Sequence, residues 1–294
     1  MALSEVDIDA LLKLAWAAGE EILAVYRAGG AVWRKGDDSP LTEADLRADE
    51  VIRSGLAKLF AGVPVISEES ALESSAASLA QDALILVDPL DGTKEFLQRN
   101  DQFTVNIGWI EKGEPIAGVV VAPALGVGYF AVRGLGAFRT SSKGVFPITT
   151  QPWHPDKPLR VIASRAHGSD RLTEWLNHLP LAHTLTTAGS SLKFCRIAEG
   201  SADLYPRLGP TCQWDTAAAH AILAAAGGIV TDIAGTALRY GVDRPMRNPD
   251  FVAAGDPVGL RALLGGEIPP FRVHEPCALR ATTPADKVAD GLAD

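Results

Sequence analysis

Val87-Asp88-Pro89-Leu90-Asp91-Gly92-Thr93-Lys94 puts two carboxylates, a free carbonyl and a phosphate-sized turn into eight residues. Such a stretch can do metal-assisted chemistry on a phosphate. The preceding Ala83-Leu84-Ile85-Leu86-Val87 is continuous, apolar and rich in branched side chains, the pattern of a strand buried on both faces, and it places Asp88 where that strand ends. Pro89 has no N–H and disfavours a helical Asp88, so the chain is expected to turn there and leave the Leu90 carbonyl without an obvious backbone partner. Hard cations accept such oxygens. Gly92 and Thr93 then open the next segment with N–H groups that lack intrahelical acceptors, a cradle for phosphate. Taken alone, the stretch is equally a strand-to-helix turn in which Asp88 and Asp91 cap backbone donors.

Other carboxylates shift that balance. Pro64-Val65-Ile66-Ser67-Glu68-Glu69 is a second short apolar strand ending in acid, and Cys212-Gln213-Trp214-Asp215-Thr216 sets an Asp at the start of an alanine-rich helix. Each alone is weak, since Asp215 also suits a first-turn dipole partner or N-cap and a Glu-Glu pair suits a solvated strand end. If they converge, two carboxylates about 4 Å apart repel by roughly 4 kcal/mol at an effective dielectric of about 20, so a shared cleft needs protons or cations. Magnesium with oxygen ligands answers that need. The six histidines show no metal-ligand spacing, which argues against zinc.

These motifs, with Asp38-Ser39-Pro40-Leu41-Thr42-Glu43-Ala44-Asp45, Ser67-Glu68-Glu69, Asp88 through Phe96 and Trp214-Asp215-Thr216-Ala217-Ala218, resemble those of the inositol monophosphatase-like, lithium-sensitive phosphatases. Within that family the chain is similar to the CysQ-type 3'(2'),5'-bisphosphate nucleotidases, from about Ile8 to about Phe251. The resemblance implies an α+β / α/β fold, a layered αβαβα sandwich. It implies that Glu68, Asp88, the Leu90 carbonyl, Asp91 and Asp215 hold two magnesium ions, with a third joining near Glu68, and that Asp45 and Thr93 orient the attacking water. Gly92 and Thr93 would bind the phosphate, with Glu68, Leu90, Asp91 and Asp215 also touching substrate. On the nucleoside side it points to Ser190, Lys193 and Arg207, and to Ser164 and His167 in Ser164-Arg165-Ala166-His167, where Ala166 stands in place of the family's second Ser.

The implied reaction is in-line attack of water on adenosine 3',5'-bisphosphate or its sulfated relative, giving AMP or the sulfated product and phosphate, in sulfur assimilation. The metal motif is shared with inositol monophosphatases and fructose-1,6-bisphosphatases. Only the nucleoside-side residues separate these activities, and Lys193 and Arg207 favour the nucleotide. A non-catalytic nucleotide sensor is the remaining alternative, but it has no need of the whole acidic set. Read without the resemblance, Lys193 is a solvated helix charge and His167 a surface cap. Arg207, flanked by Pro206 and Leu208 at a strand end, suits a bidentate phosphate contact.

Composition agrees. A chain of 294 residues, 47% hydrophobic and 21% charged, can bury a large core. Its formal charge of −9 disfavours nucleic-acid polymers and anionic membranes. The sequence shows neither a spanning apolar run nor a secretory leader, so the cytoplasm is expected, and the resemblance alone adds peripheral association with the inner membrane. Monomer and homodimer stay equally open. Cys195, Cys212 and Cys277 are too scattered for a disulfide framework, and Cys212 reads as a buried thiol rather than a nucleophile.

The elements that must position these groups follow from periodicity. Ser4-Glu5-Val6-Asp7 resembles a capping box before an amphipathic helix carrying Ile8, Leu11, Leu12, Ala15, Ile22 and Leu23 and ending near Gly29. Thr42 and Asp45 make the same pattern before a helix with Ile52, Leu56 and Leu59 toward the core, so Asp45 has a capping role available beside any catalytic one. Residues 71–81 read as a loop or frayed helix. Residues 103–140 alternate as antiparallel hairpins. A Pro-rich linker near 151–158 precedes alternating strands and helices. This predicts an N-terminal domain (1–150) with most metal ligands, a C-terminal α/β domain (151–266) with Asp215 and the nucleoside-side residues, and a mobile tail (267–294).

Overall fold

The apolar stripe of the first helix, α1 (Glu5–Ala28), buries Ile8, Leu11, Leu12, Ala15, Ile22 and Leu23 as its spacing predicts, and the chain leaves it through Gly29 at φ 77°. The computed structural model describes residues 5–34, 40–70, 83–165, 170–179 and 181–259. Ser4, residues 71–81 and the 267–294 tail, for which the sequence raised expectations, lie outside the described residues. A short hairpin, β1 (Val32–Arg34) with β2 (Pro40–Thr42), leads into α2 (Glu43–Leu59). Thr42 caps that helix: Asp45 Oδ2 accepts the Thr42 N–H at 2.7 Å, and Thr42 Oγ1 accepts the Ala44 N–H at 3.2 Å. Leu59, expected at the core, is 45% exposed, because the buried row runs Ile52, Leu56, Phe60.

One sheet has the spatial order β3 (Val65–Ser67), β4 (Ala83–Asp91), β5 (Thr104–Glu111), β6 (Glu114–Ala122), β7 (Val127–Val132), β8 (Gly136–Ser141) and β9 (Gly144–Ile148). β3 and β4 are parallel and the rest are antiparallel, including the hairpins read from 103–140. The second sheet takes the order β11 (His183–Ala188), β10 (Leu159–Ser164), β12 (Leu204–Arg207), β14 (Phe251–Ala254) and β13 (Ile229–Asp232). Its first three strands are parallel and the last two antiparallel additions.

Period-two alternation sorts the side chains into layers. Val119 and Val121 of β6, with Ile85, Val87, Val105 and Trp109, face α1 and α2. Val120 and Ala122 face the opposite way, onto α5 (Leu192–Ala198) and α6 (Gln213–Ala225). Those helices bury their other sides on Ile162, Tyr205, Phe251 and Ala253 of the second sheet. Beyond it, Leu172 and Leu176 of α4 (Asp170–Asn177) pack on Leu159, Val161 and Val252. The order helix, sheet, helix, sheet, helix is the αβαβα sandwich expected. Among the described residues no helix is long and apolar enough to cross a membrane.

The alanine-rich sequence of α6 has a steric cause. Gly108 and Gly118 pair across β5 and β6 directly under it. A Cβ at Gly108 would come within 2.8 Å of the Ala218 nitrogen, and one at Gly118 would collide with the Ala218 carbonyl. The helix therefore rides on bare backbone, which sets the depth at which its N-terminal turn sits.

Strand β4 departs from expectation. It does not end at Asp88 but continues through Pro89 to Asp91. Asp88 pairs with Asn106 and Asp91 with Thr104, so β4 carries one extra residue over that interval. Pro89 has no N–H for the ladder, and a bulge absorbs it without ending the strand.

Candidate active site

A cleft of about 220 Å³ opens at the end of β4, between the two sheets. Its walls include Glu68, Asp88, Leu90, Asp91, Gly92, Thr93, Ser164, Ser190, Lys193, Arg207 and Asp215, so these eleven sequence-predicted residues meet in one place. Asp45 stands behind Thr93, and His167 lies outside the described residues, as do Asp38 and Ser39.

The acids come from three elements. Glu68 follows β3, Asp88 lies within the last pairings of β4 and Asp91 ends it, and Asp215 is in the first turn of α6. Ligand oxygens of Glu68, Asp88 and Asp215 lie within 4.8 Å of one another. Burial holds the Asp88 carboxyl well above the usual range, and the charges of Glu68, Asp91, Asp215 and Asp45 add to that. Asp215 is pushed up to about 8, first by burial, then by Asp91 and Glu68; its bond from the Cys212 N–H (2.8 Å) and the charge of Arg207 act in the opposite sense. Asp215 thus has the capping role read from sequence and still faces the cleft. Such a cluster is short of positive charge.

Around it the polar groups are ordered. The Leu90 N–H donates to Asp88 Oδ1 at 3.1 Å, and Thr93 Oγ1 lies 3.4 Å from the Leu90 carbonyl and 3.5 Å from Asp45 Oδ1. The other Asp45 oxygen accepts from Thr42 Oγ1 at 2.6 Å, so one carboxylate caps α2 and reaches Thr93. Gly92 adopts φ 92° at the start of α3 (Thr93–Leu97), a left-handed conformation that only glycine takes cheaply.

At the far end of the cleft Lys193 is buried, not solvated, which corrects the surface-charge reading. It comes at the start of α5, whose apolar positions are all in the core, so its stem is carried inward. Its Nζ donates to the Ser190 carbonyl at 2.6 Å and lies 5.3 Å from the Tyr205 ring centre. Burial brings it down to about 8, with Asp91 opposing and Arg207 reinforcing that shift. Arg207 donates to the Pro210 carbonyl at 2.8 Å while its buried Nε has no partner. Ser190, at φ 47°, also buries an unpartnered Oγ.

Several supporting residues escape a sequence reading. Asn106 Nδ2 donates to Asp91 Oδ2 (3.2 Å) and to Ser191 Oγ (3.0 Å), and Ser191 Oγ donates to the Asp215 carbonyl at 2.7 Å. This chain fastens β4, β5, α5 and α6 together beneath the acids. Ser67 donates to Asp49, one turn after Asp45 on α2, and so anchors the residue before Glu68. The available signals were an Asn inside the apolar run of β5 and an Asp four residues after Asp45. Cys195 is buried and Cys212 only half-buried, which corrects the buried-thiol reading of Cys212, and neither is in a disulfide; Cys277 lies outside the described residues.

Comparison with known proteins adds a further finding. A family model described as the inositol monophosphatase family matches residues 3–263. The chain is 46% identical over 248 residues to the 3'(2'),5'-bisphosphate nucleotidase CysQ of Salmonella typhimurium, covering 83% of this chain and 98% of that protein. Against the protein of the same description from Escherichia coli strain K12, identity is 46% over 246 residues, with 83% and 98% covered. The crystal structure of CysQ from Bacteroides thetaiotaomicron superimposes with a TM-score of 0.75 at 35% identity, covering 85% of this chain and 97% of that one.

Proposed function

The chain belongs to the inositol monophosphatase family, and we propose that it is a magnesium-dependent 3'(2'),5'-bisphosphate nucleotidase that removes the 3'-phosphate of adenosine 3',5'-bisphosphate by direct attack of water. What favours this over a simple sugar-phosphate phosphatase is the second anion-binding end of the cleft. Buried Lys193 and Arg207 share the cleft with the acids, and the Arg207 Nε and Ser190 Oγ are buried without partners. Buried polar atoms without partners are costly unless a ligand satisfies them.

The acidic end fits a hard cation, since its donors are all oxygen and burial, with the neighbouring carboxylates adding to it, disfavours the charged forms of Asp88 and Asp215 unless a cation joins them. Glu68, Asp88, the Leu90 carbonyl, Asp91 and Asp215 would hold two magnesium ions, with a third near Glu68. When bound, the ions polarise the phosphoryl oxygens and make water a better nucleophile at neutral pH.

The remaining work falls to the chain. Thr93 orients the attacking water through its hydroxyl and Asp45 receives the proton, the other Asp45 oxygen being held by Thr42. The N–H groups of Gly92 and Thr93 cradle the scissile phosphoryl group. Arg207, Lys193 and Ser190 hold the 5'-phosphate and nucleoside, with Ser164 and His167 beside them. The reaction belongs to sulfur assimilation and the enzyme to the cytoplasm. We divide the molecule near residue 150, because the seven-stranded sheet is complete at Ile148 and the five-stranded one begins at Leu159.

The test is a phosphate-release panel on adenosine 3',5'-bisphosphate, its sulfated relative, adenosine 3'-monophosphate, inositol 1-phosphate and fructose 1,6-bisphosphate, repeated with Arg207→Ala. Arg207→Ala is expected to lose about tenfold to a hundredfold in kcat/KM on the bisphosphate and little on adenosine 3'-monophosphate. Preference of the wild type for inositol 1-phosphate, or equal loss on both nucleotides, overturns the reading.

A further inference from the structure

Gln102, on the loop between α3 and β5, touches both ends of the nucleoside-side wall. Its Oε1 accepts the Gly189 N–H at 2.9 Å and the Arg165 guanidinium at 3.1 Å, contacts across 87 and 63 residues of sequence. Gly189 precedes Ser190, and Arg165 follows Ser164. The approach is close: a Cβ at Gly189 would come within 2.5 Å of the Gln102 carbonyl and 3.1 Å of the Gln102 Cβ.

The loop that presents Gln102 is itself fixed. Asn100 Oδ1 accepts the Gln102 N–H at 3.1 Å, and Arg99 and Asp101 take φ 54° and 65°. Asp101 is held by the Tyr26 hydroxyl of α1 at 2.9 Å, and Arg99 lies 5.0 Å from the Tyr26 ring centre. At its other end the loop continues from α3, which begins at Thr93. Behind the Gln102 side chain is a hollow of about 210 Å³, also lined by Leu125, Thr186 and Arg196. The two hydrogen bonds, more than close packing, therefore set where the amide stands.

We infer that Gln102 is a positioning residue: through one carbonyl oxygen it sets the spacing between the scissile-phosphate cradle at Gly92 and Thr93 and the nucleoside-side segments at Ser164–Arg165 and Gly189–Ser190. This rests on the nucleotidase reading for the identity of the substrate. A substrate that fills both ends depends on that spacing. A phosphate ester that fills only the acidic end does not.

The experiment compares wild type, Gln102→Ala and Gln102→Glu on adenosine 3',5'-bisphosphate and on para-nitrophenyl phosphate, with melting temperatures taken alongside. Gln102→Ala is expected to lose about tenfold to thirtyfold in kcat/KM on the bisphosphate, mainly through KM, as two hydrogen bonds disappear. On para-nitrophenyl phosphate it stays within about twofold. Gln102→Glu keeps an acceptor oxygen for both donors and stays within about threefold of wild type on both substrates. Equal loss on the two substrates, no loss in Gln102→Ala, or a Gln102→Glu as impaired as Gln102→Ala each overturns the proposal. A wild type that prefers inositol 1-phosphate removes the nucleotidase reading, whereas a wild type that prefers the bisphosphate while Gln102→Ala loses equally on both substrates removes only the role of Gln102.

Discussion

Gly118→Ala adds a single methyl group remote from the cleft wall, yet it should impair catalysis. The added Cβ would collide with the Ala218 carbonyl, a backbone atom of α6 that no rotamer change can move aside. At the paired Gly108 the corresponding approach is 2.8 Å, so even there α6 would have to withdraw by roughly 0.6 Å to restore ordinary contact. Withdrawal at Gly118 must be larger. Asp215 rides on that helix, and a displacement near 1 Å of a positioned group costs about a hundredfold in rate. Overpacking of this kind costs about 1 to 3 kcal/mol, a fall in melting temperature of roughly 3 to 10 °C for a chain of this size. The assays are phosphate release at saturating bisphosphate across a magnesium titration, and thermal unfolding. Adding Ala218→Gly should not rescue, because the colliding atom is not in the side chain. Wild-type kcat in Gly118→Ala, or recovery in the double variant, would refute the argument that bare strand backbone sets the depth of α6.

Asp91→Asn keeps size but removes one charge from the acidic set, and turnover should fall at least about a hundredfold, whereas activity within threefold of wild type at saturating magnesium would sink the assigned ligand role. Because Asp215 is raised from 3.8 to about 8, the folded metal-free protein holds protons the unfolded chain has released, so its stability falls as pH rises through that window. Magnesium displaces those protons, and the rise in melting temperature on adding it should be larger at pH 8 than at pH 6; an equal or smaller rise at pH 8 counts against the metal site. His220 is buried beside the Tyr240 hydroxyl at 2.9 Å and burial brings it down to about 3, so its neutral form contributes stability above pH 6.5 that is lost as pH falls toward 3. His220→Gln should flatten the acid limb of a melting-temperature profile by up to about 1.4 kcal/mol per pH unit, and an unchanged limb would show that other groups govern it.

The acidic motif was legible because its parts are local: a branched apolar run, a proline and two aspartates report a strand end and its chemistry within eight residues. The αβαβα layering came from the family resemblance; periodicity by itself gave the first two helices, the hairpins of 103–140 and the alternating strands and helices after the linker. What sequence could not show is whatever depends on register between distant elements. Nothing near Asn106 says that it will stand between Asp91 and Ser191, and nothing near Gln102 announces Gly189. Read without the resemblance, Lys193 was placed in solvent for the same reason, as its burial is decided by the apolar face of a helix only seven residues long wedged between two sheets. Leu59 was misread because the row of core positions slipped by one residue to Phe60. The bulge at Pro89 was half-read: the missing N–H was seen, but a turn was inferred where the strand continues.

That bulge has an arithmetic consequence. Asp88 and Asp91 are an odd number of steps apart, and in a regular strand an odd separation sends two side chains to opposite faces. Here both line the same cleft. The inserted residue between the Asn106 and Thr104 pairings changes the parity, turning an odd count into an even one at the single position where proline exempts the backbone from donating. The spacing of the two aspartates is therefore a counted quantity and not a tolerance. Removing the residue at 89 or 90 would invert one carboxylate relative to the other, and no nearby substitution could turn it back.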